Sequence, residues 1–268
     1  MSEADIAWAA VAARGLAAAL FVGGVIWLME RTSPFIGGIV LALPIVTAPA
    51  YLFLVLQDGS GFVAAAALGS IATLGAVLLF LVTVIALLRH TGMALALAVA
   101  LAVWFAAGVV TASLPAALPV SLGLLAAAAL TAWLAGRRVP LTAPAARGRS
   151  PVWEIVLRGA AAGLLVAIVS GFAAILGPQR SGILASFPVA LLVVCAFLPR
   201  RLDVAGMRAS LRATQIGLAS HLPFFLSLIL LGPHIGGLPA FALGILCSLA
   251  VALALGLLRR HHLRNAGS

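Results

Sequence analysis

Apolar runs of about twenty residues, broken by short clusters of Arg, Gly, Pro and Ser, succeed one another along the chain. About 20 apolar residues in a helix cross the hydrocarbon core of a bilayer. On that measure nine spans are predicted, near residues 6–29, 34–56, 61–88, 92–111, 118–136, 153–176, 179–198, 206–231 and 238–258. The runs carry Ala and Leu without strict polar/apolar alternation, which argues against a lumen-containing β-barrel. One connection stands apart, "GRRVPLTAPAARGRSP", Gly136 to Pro151, rich in Arg and Pro. It reads as a linker.

Composition strengthens this picture. The chain is 64% hydrophobic and 8% charged, with a mean hydropathy of +1.25. A soluble domain of 268 residues has no interior large enough for that apolar surface. The formal charge is +10, carried by 16 arginines and no lysine. In a soluble protein that balance would point to nucleic acid. Here no basic face exists outside the loops, so nucleic-acid binding is not expected. With nine spans, twelve arginines (31, 89, 137, 138, 147, 149, 200, 201, 208, 259, 260 and 264) fall on one side. Only Arg180 falls on the other. Basic loops stay cytoplasmic, so the N-terminus is expected outside and the C-terminus inside a bacterial inner membrane. The first residues, "MSEADIAWAAVAARG", read as the start of a retained helix. Cys195 and Cys247 both lie inside apolar runs and read as small buried hydrophobes.

Shifting the chain by 144 residues reveals a repeat. Arg14 falls on Arg158, Gly15 on Gly159, Pro34 on Pro178, Gly38 on Gly182, Ile39 on Ile183 and Pro44 on Pro188. Without a gap, eleven of the 31 positions from 14 to 44 match. Helix one then corresponds to helix six, an offset of five spans. Five is odd, so the second copy enters the membrane from the opposite side. The predicted fold is an all-α integral membrane protein with an inverted 4+1+4 repeat. Repeat one covers 1–113, a connecting helix and basic linker cover 114–152, and repeat two with a basic tail covers 153–268. Inverted repeats meeting around a midplane site are a mark of secondary transporters.

The segment "SPFIGGIVLALP", Ser33 to Pro44, and its counterpart "GPQRSGILASFP", Gly177 to Pro188, place helix breakers inside apolar runs. Pro34 and Pro178 fit helix starts. The interior Pro44 and Pro188 each free a carbonyl about a turn earlier, near Val40 and Leu184. Gly37, Gly38 and Gly182 admit a close backbone. One reading is a discontinuous helix lining a solute site; the other is tight packing of a kinked pair. The expected substrate site joins these residues and the hydroxyls Thr47 and Ser186 to further polar groups. Arg14 and Arg158 are intramembrane arginines, either functional or reaching to the nearest headgroups. Arg158 also has Glu154 four residues earlier, at ion-pair spacing. Helix eight carries Ser210, Thr214, Gly217 and His221 on one face, with Gln215 beside them. Ser70 aligns with Thr214, and Thr73 with Gly217. His221 and Glu30 are the expected proton-coupling groups; the alternatives are a hydrogen-bonded neutral histidine and an interfacial carboxylate beside Arg31.

No HExxH, P-loop, GxSxG or CxxC occurs. No enzyme activity, metal or cofactor is expected. With almost no carboxylate inside the spans, a purely cationic solute is disfavoured. Arginines, hydroxyls and half-helix N-termini suit a small anionic or neutral polar one.

The Arg-Gly at the start of helix one, followed by "SPFIGGIVLALP", resembles the GlpM-like family of small four-helix bacterial membrane proteins. The likeness covers residues 14–44 and 158–188, and Ser181 stands where the first copy has Gly37. It implies a small unit able to stand in both orientations, and it brings no substrate. The leading expectation is a secondary transporter working by alternating access. A lipid flippase or scramblase, a non-transporting scaffold subunit and a passive channel are the alternatives. Membrane lipids and a polar solute are the expected partners, and oligomerisation stays open.

Overall fold

The structure, a computed structural model, describes residues 3–31, 44, 47–57, 59–139, 151–200 and 202–265. Regular structure among them is entirely helical. The helices are α1 (Glu3–Arg31), α2 (Thr47–Gln57), α3 (Ser60–Leu87), α4 (Met93–Ser113), α5 (Leu118–Gly136), α6 (Val152–Leu176), α7 (Pro178–Ala185) and α8 (Val189–Phe197). After a 3-10 turn at Leu198–Arg200 come α9 (Val204–Gly217), a second 3-10 turn at Leu218–Ser220, α10 (His221–Leu230), α11 (Gly232–Ile235) and α12 (Gly237–Asn265).

Among the described residues, six helical segments are long and apolar enough to cross a membrane. They are Trp8–Val25, Ser60–Leu87, Met93–Ser113, Leu118–Gly136, Val204–Leu230 and Gly237–Leu258. The expected spans differ from these in instructive ways. Residues 34–43 lie outside the described part, so the second expected span begins here with Pro44 and α2. The expected span 179–198 is not one helix. Pro188 has no N–H to offer Leu184, and α7 ends at Ala185. The Leu184 carbonyl instead accepts the Phe187 N–H at 2.9 Å, a tightened last turn. The chain restarts as α8 one residue past the proline. Pro223 acts more gently on the expected span 206–231. Its i−4 carbonyl belongs to Ala219, the middle of the second 3-10 turn, and the helical path continues through it. The tail expected after 258 stays helical to Asn265.

Helix α3 is the centre: 72% of its span is buried, against 17% for Trp8–Val25. It packs on α4, α5, α7 and α10. Lipid tails are as apolar as leucine, so helices associate in a bilayer through close packing at small residues rather than through hydrophobic burial. Glycines on α3 serve that end. Gly75 faces Leu124 and Ala128 of α5, and Gly69 faces the Gln179 backbone of α7.

Helices α1 and α6 form the other close crossing. A Cβ on Gly15 would meet Ala167 and the Gly163 carbonyl; one on Gly159 would meet the Ala19 carbonyl and Gly23. Numbers rise along α1 as they fall along α6, so the pair is antiparallel. Its outer faces, with Trp8, Leu16, Leu20, Val156 and Leu164, are exposed. Two large core clusters fill the interior. One gathers Phe80, Leu81, Val84, Ala96, Trp104, Cys195, Met207 and Leu211 among others. The other holds Tyr51, Val63, Ala66, Ala67, Ile71, Phe224, Phe225, Leu228 and Ala240. Each draws on both halves of the chain, so the halves are interlocked.

Candidate functional site

Helix α7, the first part of the interrupted helix, lies against α3 with almost no side chain between the backbones. A Cβ on Gly182 would overlap the Ala66 carbonyl group. Ser70 sits 0% exposed at this contact and donates to the Gly182 carbonyl at 2.8 Å. Its single hydroxyl proton is thereby used. Tyr51 Oη, 2.7 Å from Ser70 Oγ, must therefore be the donor between those two oxygens. The result is a directed chain from α2 through α3 to α7: Tyr51 to Ser70 to Gly182.

At the break, the Trp104 ring of α4 stands edge-on to Phe187, centroids 4.9 Å apart, with Phe105 completing the cluster. Two polar atoms there, Ser186 Oγ and Trp104 Nε1, are buried without a hydrogen-bond partner. Pro188 precedes α8, and its carbonyl accepts the Leu192 N–H at 2.9 Å. Pro44 is buried, and its carbonyl accepts the Ala48 N–H at 2.7 Å. Thr47 opens α2 half-buried. Gly37 and Gly38 lie outside the described residues.

The hydroxyl stripe is largely engaged in its own helices. Thr73 Oγ1 donates to the Gly69 carbonyl at 2.7 Å, and Thr214 Oγ1 to the Ser210 carbonyl at 3.1 Å. Such back-bonds satisfy a hydroxyl in an apolar setting. Gln215 is buried and accepts from Arg212 at 3.1 Å. Arg212 also donates to the Ala132 carbonyl at 3.0 Å, in the last turn of α5. Arg208 does the same for α3, donating to the Ile85 carbonyl at 3.0 Å. Cations near helix C-termini oppose the negative end of the dipole. His221 opens α10, with its Nδ1 buried and without a hydrogen-bond partner. Glu30 falls in the last turn of α1, and its side chain is outside the described part.

Arg14 and Arg158 sit apart from the break, on the crossed pair α1 and α6. Arg158 is buried and ion-paired to Glu154, itself buried, at the expected i, i+4 spacing. Its guanidinium carbon lies 4.9 Å from the Phe197 ring centroid. That of Arg14 lies 5.6 Å from the Phe53 centroid.

A small cleft of about 10 Å³ opens between the α4–α5 turn and the start of α7, lined by Gly69, Thr111, Ser121 and Gln179 among others. That is room for about one water. Among the described residues no three His, Cys, Asp or Glu side chains gather as metal ligands.

The structure thus joins Ser70 to Gly182 and sets Ser186 and Pro188 beside them, while Thr214 bonds within its own helix and Gln215 bonds Arg212, which reaches α5. Sequence reasoning passed over Tyr51, Phe53, Phe197 and Arg212. Tyr51 is the only tyrosine in the chain, in an otherwise apolar run. Phe53 and Phe197 are 144 residues apart, nine positions beyond the compared stretch. No protein-family model matches the chain, and neither a curated protein nor a solved structure matches it.

Proposed function

We propose that the protein is a secondary transporter that moves a small anionic or neutral polar solute across a bacterial inner membrane by alternating access of two inverted halves. The α1–α6 crossing carries this reading. Adding 144 to Gly15 and subtracting it from Gly163 turns that contact into Gly159 against Ala19, which is also made. Gly15 against Ala167 becomes Gly159 against Gly23 in the same way. A contact set that maps onto itself is what a two-fold axis produces, and antiparallel partners place that axis in the membrane plane.

The core clusters support the same relation. Tyr51, Val63, Ala67, Phe224, Phe225, Leu228 and Ala240 of one correspond at 144 to Cys195, Met207, Leu211, Phe80, Leu81, Val84 and Ala96 of the other. Each half is then a four-helix unit like the GlpM-like family, with α5 between them. The broken α7–α8 supplies the discontinuous helix that such transporters place at their sites. His221 carries the coupling proton, and the arginine-rich end faces the cytoplasm.

The test is flux in proteoliposomes. Uptake of a polar solute should follow an imposed proton gradient. Ser186→Ala and Pro188→Ala should lower it, and His221→Gln should uncouple it. Flux absent for every solute of a broad panel, in protein that remains folded, defeats the proposal. The paired Arg14–Phe53 and Arg158–Phe197 contacts favour lipid flipping as a second reading, which scrambling of a fluorescent phospholipid would reveal.

A further inference from the structure

One end of the molecule concentrates cations around a single aromatic ring. The guanidinium carbons of Arg158 and Arg200 lie 4.9 and 5.0 Å from the centroid of Phe197. The two arginines can therefore be no farther apart than the sum of those distances. One carboxylate serves them: Glu154 pairs with Arg158. Arg200, exposed at the end of its 3-10 turn, makes no ion pair with any described residue. Arg158, Arg200 and Glu154 together carry one net positive charge, at the edge of an apolar bundle where a counter-charge interacts strongly.

The setting fixes what counter-charge can arrive. Helical side chains lean towards the N-terminus of their helix, so Arg158 leans towards the start of α6. Trp153, 59% exposed there, is an aromatic of the kind that settles at headgroup level. Arg208, eight residues further along the chain, adds a cation at the end of α3. The positions 144 earlier hold Ala10 in place of Glu154 and Leu56 in place of Arg200. The two Arg–Phe pairs are alike, and Arg200 has no arginine at the matching position of the first.

We infer that Arg200, with Arg158 and Phe197, binds the phosphate of an anionic phospholipid headgroup at the basic end of the bundle. The ring holds both guanidinium planes in place, Glu154 balances Arg158, and the lipid phosphate balances Arg200. Acyl chains would lie along the exposed apolar face of α6 at Val156 and Leu157. This site stands independently of any transported solute.

Native mass spectrometry of the detergent-purified chain tests it, with phosphatidylglycerol, phosphatidylcholine and inorganic phosphate titrated in turn. Phosphatidylglycerol should bind more tightly than phosphatidylcholine. Arg200→Gln should weaken it by about fivefold, the worth of one basic group at a membrane surface. Phe197→Leu should weaken it as well, by loosening the arginines. Arg180→Gln, at the opposite end, should leave binding unchanged. Equal affinity for the two lipids overturns the inference, and that comparison needs no variant to fold. Equal losses in Arg200→Gln and Arg180→Gln would mean diffuse attraction and also overturn it. Displacement of the lipid by millimolar inorganic phosphate would assign the site to a free anion instead.

Discussion

The Arg158 guanidinium lies over the ring of Phe197, and 144 residues earlier Arg14 lies over Phe53. Two positions separate the pairs in sequence: Glu154 has Ala10 as its counterpart, and Arg200 has Leu56. Removing the charge of Arg158 would take the ion-pair partner from a buried carboxylate, at a cost of about 3–5 kcal/mol. Arg158→Gln should therefore destabilise the protein. The double variant Glu154→Gln/Arg158→Gln should regain most of the loss. Unfolding in mixed micelles, followed by circular dichroism, reads both. A double variant no more stable than Arg158→Gln would refute the buried pair as the cause.

The Tyr51–Ser70–Gly182 chain makes a graded prediction. Tyr51→Phe removes only the terminal donor and should cost about 1 kcal/mol. Ser70→Ala leaves the Tyr51 hydroxyl unsatisfied in a buried place and the Gly182 carbonyl with the Ser186 N–H alone, and should cost about 1–3 kcal/mol. Since both variants break one chain, Tyr51→Phe in the Ser70→Ala background should cost little or nothing more. Strict additivity in the same unfolding measurement would show that the hydroxyls act separately.

Helix placement could be read from sequence because long apolar runs end at Gly, Pro and Arg: the expected 118–136 is α5 residue for residue, and 61–88 differs from α3 by one at each end. The place of the helix break was also readable, since Pro188 cannot continue a helix. Which way the freed groups turn was not. Leu184 closing on Phe187, and Ser70 crossing to Gly182, depend on how two helices meet, and periodicity describes one helix at a time. Arg212 shows the same limit. On α9 it looks like an isolated intramembrane cation, and only the approach of the α5 C-terminus explains it.

Glycines that look alike in sequence should separate sharply on substitution. At Gly182 an added methyl meets the Ala66 carbonyl, a backbone group of the central helix that has no rotamer to change. Gly182→Ala should cost at least about 1–3 kcal/mol, as overpacking does. At Gly24 nothing lies within 4 Å of the added atom. Gly24→Ala should be neutral or slightly stabilising, since alanine favours a helix by up to about 1 kcal/mol over glycine. Thermal unfolding of the two variants, followed by size-exclusion chromatography, makes the comparison. A loss at Gly24 matching that at Gly182 would show that close backbone approach is not what Gly182 provides.

The proposed inverted arrangement makes a topological prediction that turns on α7–α8. Thr91 lies in the turn after α3, and the position 144 later is Ile235, at the end of α11. Between them run α4, α5, α6, the pair α7–α8, and α9–α10. If the broken pair completes a crossing, that makes five, and Thr91 and Ile235 face opposite sides. The pair has eight and nine residues around its break, close to the shortest length that spans a bilayer. A re-entrant α7–α8 would instead return to its starting side, and the two positions would share a face. Thr91→Cys and Ile235→Cys, each placed in a Cys247→Ala background, decide between these with a membrane-impermeant maleimide added to sealed inside-out vesicles. Thr91→Cys, two residues from Arg89, should label from the cytoplasmic face. Ile235→Cys should label only after the vesicles are opened. Labelling of both in sealed vesicles would make α7–α8 re-entrant and end the inverted reading.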